Sequence, residues 1–219
     1  MASYDSLVLF VPVLLLSVVA HEYAHARVAV SQGDPTPLML GRLTMNPLPH
    51  VDPVGTVLVP LILFFSQAGF IIGWAKPVPV NTRNFRNYRK GDLLVSAAGV
   101  TANFALALLF FGAALALSAS GAEAGTPGLA GALRRMAEFG LFLNLLLGVF
   151  NLIPVPPLDG SHLLYHLLPP ALGARYRQLG RYGIVLLFLV ILVPGLLGAL
   201  LFPVRFLMDV ARGVIESVA

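Results

Sequence analysis

The run from Leu7 to Val30 is apolar and long enough to cross a bilayer, yet it carries His21-Glu22-Tyr23-Ala24-His25 in its second half. About 20 apolar helical residues span the roughly 30 Å hydrocarbon core of a membrane. An ionisable group placed inside that core costs about 2.5 to 3.5 kcal/mol on insertion scales, so such groups face a polar interior and mark functional sites. A polar patch that only packs helices together would meet the same cost. On a helix, residues four apart share a face, so His21 and His25 can grip one metal ion while Glu22 lies within reach of a water that the ion activates. Two imidazoles and a carboxylate are the smallest set for metal-assisted hydrolysis.

The rest of the chain extends the membrane reading. Hydrophobic residues make up 58% and charged residues 11% of the 219, against roughly 25% charged in soluble domains. Apolar blocks run over 6–30, 54–73, 93–118, 136–153, about 176–193 and about 196–217, the last two separated by Pro194-Gly195. No long polar stretch, repeat or low-complexity tail divides them. The expected fold is therefore an all-α polytopic membrane protein, one domain over 1–219, with about five to six transmembrane helices plus a re-entrant or hairpin-like segment around 54–73. Met1 to Ser6 holds no Lys or Arg, so the basic start of a secretory signal is missing and the first helix is expected to be retained. There is no Cys, which leaves His and carboxylates as the strong metal ligands. The net charge of +4 comes from basic residues clustered between apolar runs. Topology accounts for them without a nucleic-acid partner.

Orientation follows from the Lys and Arg distribution. Lys76, Arg83, Arg86, Arg89 and Lys90 fall in the loop 74–92, Arg175 and Arg177 in 154–180, and Arg134 and Arg135 beside a Gly-rich loop at the other face. A full crossing by 54–73 would put the most basic loop outside. Pro53, Gly55, Pro60 and Gly69 also disfavour a regular 20-residue helix there, so both ends of the segment are expected on the cytosolic side. Arg83, Arg86, Arg89 and Lys90 then set topology and touch anionic lipid.

A catalytic zinc site needs a third protein ligand and an open position. The best candidate is Asp159, in Asn151-Leu-Ile-Pro-Val-Pro-Pro-Leu-Asp159-Gly160. Pro154, Pro156 and Pro157 must end the helix before them, and backbone without partners cannot face lipid, so this segment should line a polar cavity. A helix entering from outside at residue 6 reaches His21 after about 22 Å, about 8 Å short of the cytosolic edge of a 30 Å core. The block 136–153 runs the same way and delivers Asp159 to that edge.

His21-Glu22-Tyr23-Ala24-His25 in one membrane helix, with the Asn151 to Gly160 stretch ending a later one, resembles the site-2 protease family of intramembrane zinc metalloproteases. Gly41-Arg42-Leu-Thr44-Met-Asn46-Pro47, His50-Val-Asp52-Pro53 and Gly73-Trp74-Ala75-Lys76-Pro77-Val78-Pro79-Val80-Asn81 are similar to a compact bacterial branch without PDZ or CBS domains. The resemblance implies one zinc ion bound by His21, His25 and Asp159, with Glu22 as general base and Asn151 binding substrate or stabilising the oxyanion. It also implies a multi-pass protein of the plasma or inner membrane that cleaves transmembrane proteins on the cytosolic side. Substrate segments would be those that unwind readily, such as Gly- or Pro-containing ones. The chain has Gly99-Val100 ahead of Asn103 where many relatives have Gly-Pro.

Other readings stay open at this point. His162 and His166, four apart beyond Asp159, could ligate metal in its place. His50 and Asp52 could gate the cavity, hydrogen-bond the metal ligands, or form a turn around Pro49 and Pro53. Asn144, seven residues before Asn151, fits helix packing. A zinc transporter would also bury His and Asp, but it would need a polar path through the membrane. A catalytically silent membrane-protein binder would have no use for Glu22.

Overall fold

The computed structural model describes residues 4–66, 74–193 and 195–218. Among them every regular element is helical and no strand occurs. Residues 67–73, part of the expected hairpin, and residue 194 lie outside the described set.

Long apolar runs give the long helices, one of which continues through Pro12. α1 spans Tyr4–Gln32 and α4 spans Tyr88–Ala119. These two are long and apolar enough to cross a membrane. Between them lie the single turn α2 (Thr36–Met39), a π-type turn over Pro53–Leu58, and α3 (Val59–Phe65). α5 spans Leu129–Asn151, and its 23 residues could also cross the core by length, though Arg134, Arg135 and Glu138 charge its first turns. Then come α6 (Asp159–Leu167), α7 (Pro170–Gln178), α8 (Gly183–Leu192), α9 (Leu196–Leu200) and α10 (Phe202–Glu216).

The block 176–193 is not one helix. Its α8 has 10 residues, about 15 Å and half a hydrocarbon core. A 3-10 turn over Leu179–Tyr182 precedes α8, and Gly195 beyond it takes a left-handed φ of 79°.

α1 stops at a Schellman motif. Gly33 has φ 110°, its N–H bonds the Val30 carbonyl at 3.1 Å, and the Asp34 N–H bonds the Ala29 carbonyl at 3.0 Å. A side chain at Gly33 would be strained and would press on the Asn84 carbonyl. α4 starts under an N-cap, with the Asn87 side chain accepting from the Lys90 N–H at 2.9 Å.

Helix α4 packs against α1, α5, α6 and α10. Between α4, α5 and α10 the core consists of Ala107, Leu141, Leu145, Val204, Met208 and Ala211. The Phe110 ring lies against Gly140 and the Phe104 ring against Gly148, so small residues on α5 let the helices approach. The burial pattern is inverted relative to a soluble bundle: Ser17, Asn103 and Asn144 are fully buried, while Leu108 and Leu109 are 71% and 68% exposed. Polar groups inside and leucines outside suit a lipid solvent.

The ends of the 54–73 segment come together. The Trp74 N–H bonds the Gly55 carbonyl at 3.1 Å, and the Thr56 hydroxyl bonds the Trp74 carbonyl at 2.7 Å. From Trp74 the chain runs without regular structure to Asn81, passing beside α1.

Candidate metal centre

One face of α1 and the first residue of α6 supply the donors. His21 and His25 stand one turn apart with Nε2 atoms 2.9 Å from each other. Asp159 Oδ2 lies 3.4 Å from His21 Nε2 and 3.3 Å from His25 Nε2. Among the described residues, this is the one group of three or more His, Cys, Asp or Glu that could hold a metal ion.

The orientation of both rings is set by α4. His21 Nδ1 is 2.6 Å from Asn103 Oδ1. Asn103 Nδ2 is itself committed as a donor, to Asn144 Oδ1 at 2.9 Å and to the Ser17 carbonyl at 3.4 Å, so Oδ1 faces His21 as an acceptor. His25 Nδ1 is 2.8 Å from the Val95 carbonyl. Each Nδ1 must therefore donate, and a neutral imidazole then presents a bare lone pair at Nε2. The contact between the two Nε2 atoms is not a hydrogen bond, because neither nitrogen carries a proton to give.

Two lone pairs and a carboxylate oxygen thus converge on one point. Asp159 Oδ2 is buried and accepts no hydrogen bond, although buried polar atoms are nearly always paired. A cation satisfies all three donors at once, and two imidazoles with one carboxylate match a catalytic zinc set. The residues present fit zinc.

Space for the rings comes from Gly99 on α4. A Cβ there would meet His25 Nε2 and lie 2.6 Å from His21 Cε1. Any larger residue at 99 would displace the ligands.

Glu22 follows His21 on α1. Its Oε2 accepts the Val78 N–H at 2.8 Å from the extended 74–81 segment. Among the described residues its other oxygen has no donor, which leaves it able to accept a proton.

Asn151, at the last turn of α5, donates from Nδ2 to the Leu147 carbonyl of its own helix at 2.9 Å. This side chain is not among the groups drawn to the His21, His25 and Asp159 cluster. Asn144 does point inward, donating to Ser17 Oγ at 2.8 Å and to the Gly140 carbonyl at 2.8 Å.

The remaining candidates take other partners. His162 and His166 face Asp92 rather than His21 and His25. Asp52 caps the π-type turn, accepting from Val54 N at 3.0 Å and Gly55 N at 2.6 Å, which is the turn role. His50 is buried, with Nε2 3.0 Å from the Thr44 carbonyl.

The family model described as "Peptidase family M50" matches residues 126–193, the stretch that holds Asn151 and Asp159. The chain is 40% identical over 190 residues to "Putative zinc metalloprotease YwhC" of Bacillus subtilis (strain 168), covering 87% of this chain and 82% of that one. The chain belongs to peptidase family M50, the site-2 protease family. Two further relatives, both called "Putative zinc metalloprotease Rip2", align as well. The one from Mycobacterium tuberculosis (strain ATCC 25618 / H37Rv) is 31% identical over 197 residues, 90% of this chain and 71% of its own length. The one from Mycolicibacterium smegmatis is 30% identical over 183 residues, 83% and 66% of the two chains. No solved structure matches the chain. As a site-2 family member it is a membrane-embedded metalloprotease, and the family implies zinc dependence.

The contacts of Asn103, Gly99 and Val95 with the two histidines depend on how α4 packs on α1. A signal did exist for Asn103, an amide in the middle of the apolar 93–118 block. The Val95 carbonyl and the Val78 N–H have none, because any residue supplies a backbone group.

Proposed function

We propose that the chain is an intramembrane zinc endopeptidase of one domain, residues 1–219, acting in regulated proteolysis of membrane proteins. It resides in the plasma or inner membrane, crosses it about five to six times, and opens its site to the cytosol. Residues 54–73 enter and leave on the same side, a reading supported by the bonds that join Gly55 and Thr56 to Trp74.

His21, His25 and Asp159 hold one zinc ion. The observation that carries this is the buried Asp159 Oδ2, unpaired and 3.3 to 3.4 Å from two imidazole nitrogens that point lone pairs at it. When bound there, zinc supplies Lewis acidity that activates water and polarises the scissile carbonyl. Glu22 takes the proton of the attacking water and passes it to the leaving amine. The Val78 N–H holds one Glu22 oxygen, aiming the other. Asn103 and the Val95 carbonyl keep both imidazoles in the tautomer that binds metal. Asn151 lies at the end of α5, eight residues before Asp159, and there binds the substrate backbone or its oxyanion once its amide leaves the Leu147 carbonyl.

A helical substrate keeps its carbonyls in internal hydrogen bonds, so the segment cut is one that unwinds readily. Incubating the purified protein with a panel of transmembrane-segment fusions, with and without chelator, tests the proposal. Cleavage abolished by chelator and restored by zinc is expected. Chelator-resistant cleavage, or capture of every fusion without cleavage, would overturn it. Zinc accumulation in sealed vesicles carrying the protein would favour transport instead.

A further inference from the structure

A second knot of titratable side chains ties α4 to α6. Asp92 on α4 is 4% exposed. Its Oδ1 lies 3.1 Å from His162 Nδ1 and its Oδ2 2.7 Å from His166 Nε2, with both histidines on one face of α6. Arg89, nearly one turn earlier on α4, donates to the His166 carbonyl at 3.0 Å, one of the acceptors left open at the end of α6. The Tyr88 ring packs 5.4 Å from the His166 ring, and the Arg177 guanidinium lies over both Tyr88 and Tyr165. A buried carboxylate is costly unless paired, and Asp92 is paired twice.

The knot is not a second ion cage. The histidines bond Asp92 itself, and their nitrogens do not converge as those of His21, His25 and Asp159 do, which lie within 4.8 Å of one another.

Its position gives it a use. α6 has 9 residues and begins with Asp159, and a helix so short has little stability of its own and takes its direction from what it is bonded to. His162 and His166 sit about 4.5 and 10.5 Å along the axis from Asp159. Fixing two points on one face fixes both the axis and the rotation of α6, and with them the direction of the Asp159 carboxylate.

The same side of α4 makes the other contacts. Asp92, Val95, Gly99 and Asn103 are spaced three, four and four apart, a helix stripe. Val95 orients His25, Asn103 orients His21, and Gly99 makes room for both rings. Only Asp159 has no direct partner on this stripe. Asp92 reaches it through α6.

We propose that Asp92 is a positioning residue for the metal centre, anchoring His162 and His166 so that the short helix α6 presents Asp159 to the two histidines of α1. This rests on the zinc-site reading above, and it adds a residue 67 positions before Asp159 in sequence.

The test is zinc affinity by competition with a chelator, measured on the purified full chain in two backgrounds. Asp92→Ala in the otherwise native chain is expected to weaken zinc binding ten- to hundredfold, the usual effect of losing a residue that orients a ligand. His162→Ala removes a half-exposed side chain with little risk to folding and should weaken it about threefold. In the Asp159→Ala background, Asp92→Ala should change affinity by less than about twofold, because the residue it acts through is gone. The visible spectrum of the cobalt-substituted Asp92→Ala protein should move toward that of Asp159→Ala. Equal losses in both backgrounds would make Asp92 a general folding residue and overturn the proposal. So would native affinity in both Asp92→Ala and His162→Ala. If Asp159→Ala alone binds zinc as tightly as the native chain, the ligand assignment has failed and the proposal falls with it, a result read without any Asp92 variant.

Discussion

Both imidazoles of the centre give their Nδ1 protons to oxygen, and this turns two lone pairs toward Asp159. Asn103→Leu should remove the acceptor for His21 and leave a buried N–H unpaired, lowering zinc affinity about ten- to hundredfold. Chelator competition checks it, and native affinity would show that the ring needs no such partner. Glu22→Gln keeps the shape and both histidines. It should retain one zinc per chain by elemental analysis while cleavage falls about 10²- to 10⁴-fold, the range for loss of a general base. Wild-type cleavage by that variant would remove Glu22 from its role. That His21, His25 and Asp159 come together was legible in sequence because their residue types and motif spacing point to one cluster. Asn103 lies 82 residues from His21 and Asp92 lies 70 from His162. Such pairings exist only once the helices are packed.

Among the elements, the end of α1 is secured by Asp34, which is fully buried. Burial alone would raise its pKa, but the Thr36 and Asn84 side chains and the Asn81 and Thr36 N–H groups all donate to it, and these bonds hold the carboxyl below its usual range. A depressed carboxylate contributes stability that is present above the unfolded-state value of about 3.9 and is lost as pH falls through the lower folded value. Asp34→Ala should cost about 1 to 3 kcal/mol at pH 7. The melting-temperature gap to the native protein should narrow as the pH is lowered from 5 toward about 3. A gap constant over that range would mean that the charge contributes nothing. The long elements α1, α4 and α5 were readable from apolar runs ended by Gly, Asn and Pro. The block 176–193 looked like one more of these and gives only α8, because apolarity alone does not tell a spanning helix from a short one. What interrupts it is the 3-10 turn over Leu179–Tyr182, at Gly180 and just before α8 begins at Gly183, a glycine signal that its uniform hydropathy outweighed.

For the whole molecule, the proposed site needs α1 and the start of α6, which follows α5, to lie at one face of the membrane. Single Cys residues at Ser6, Asn87, Gly125 and Ala174, on a chain without native Cys, can be probed with an impermeant thiol reagent added from outside. Labelling at 6 and 125 and not at 87 or 174 is expected. Labelling at 87 would make 54–73 a full crossing, at odds with the bonds that join Trp74 to Gly55 and Thr56. X-ray absorption at the zinc edge of the purified, zinc-loaded protein reads whether α1 and α6, far apart in sequence, share one zinc ion. One zinc per chain with two imidazole nitrogens and a carboxylate oxygen at about 2.0 to 2.2 Å is expected. Three or four imidazoles around the metal, or a protein that takes up no stoichiometric zinc, would contradict it.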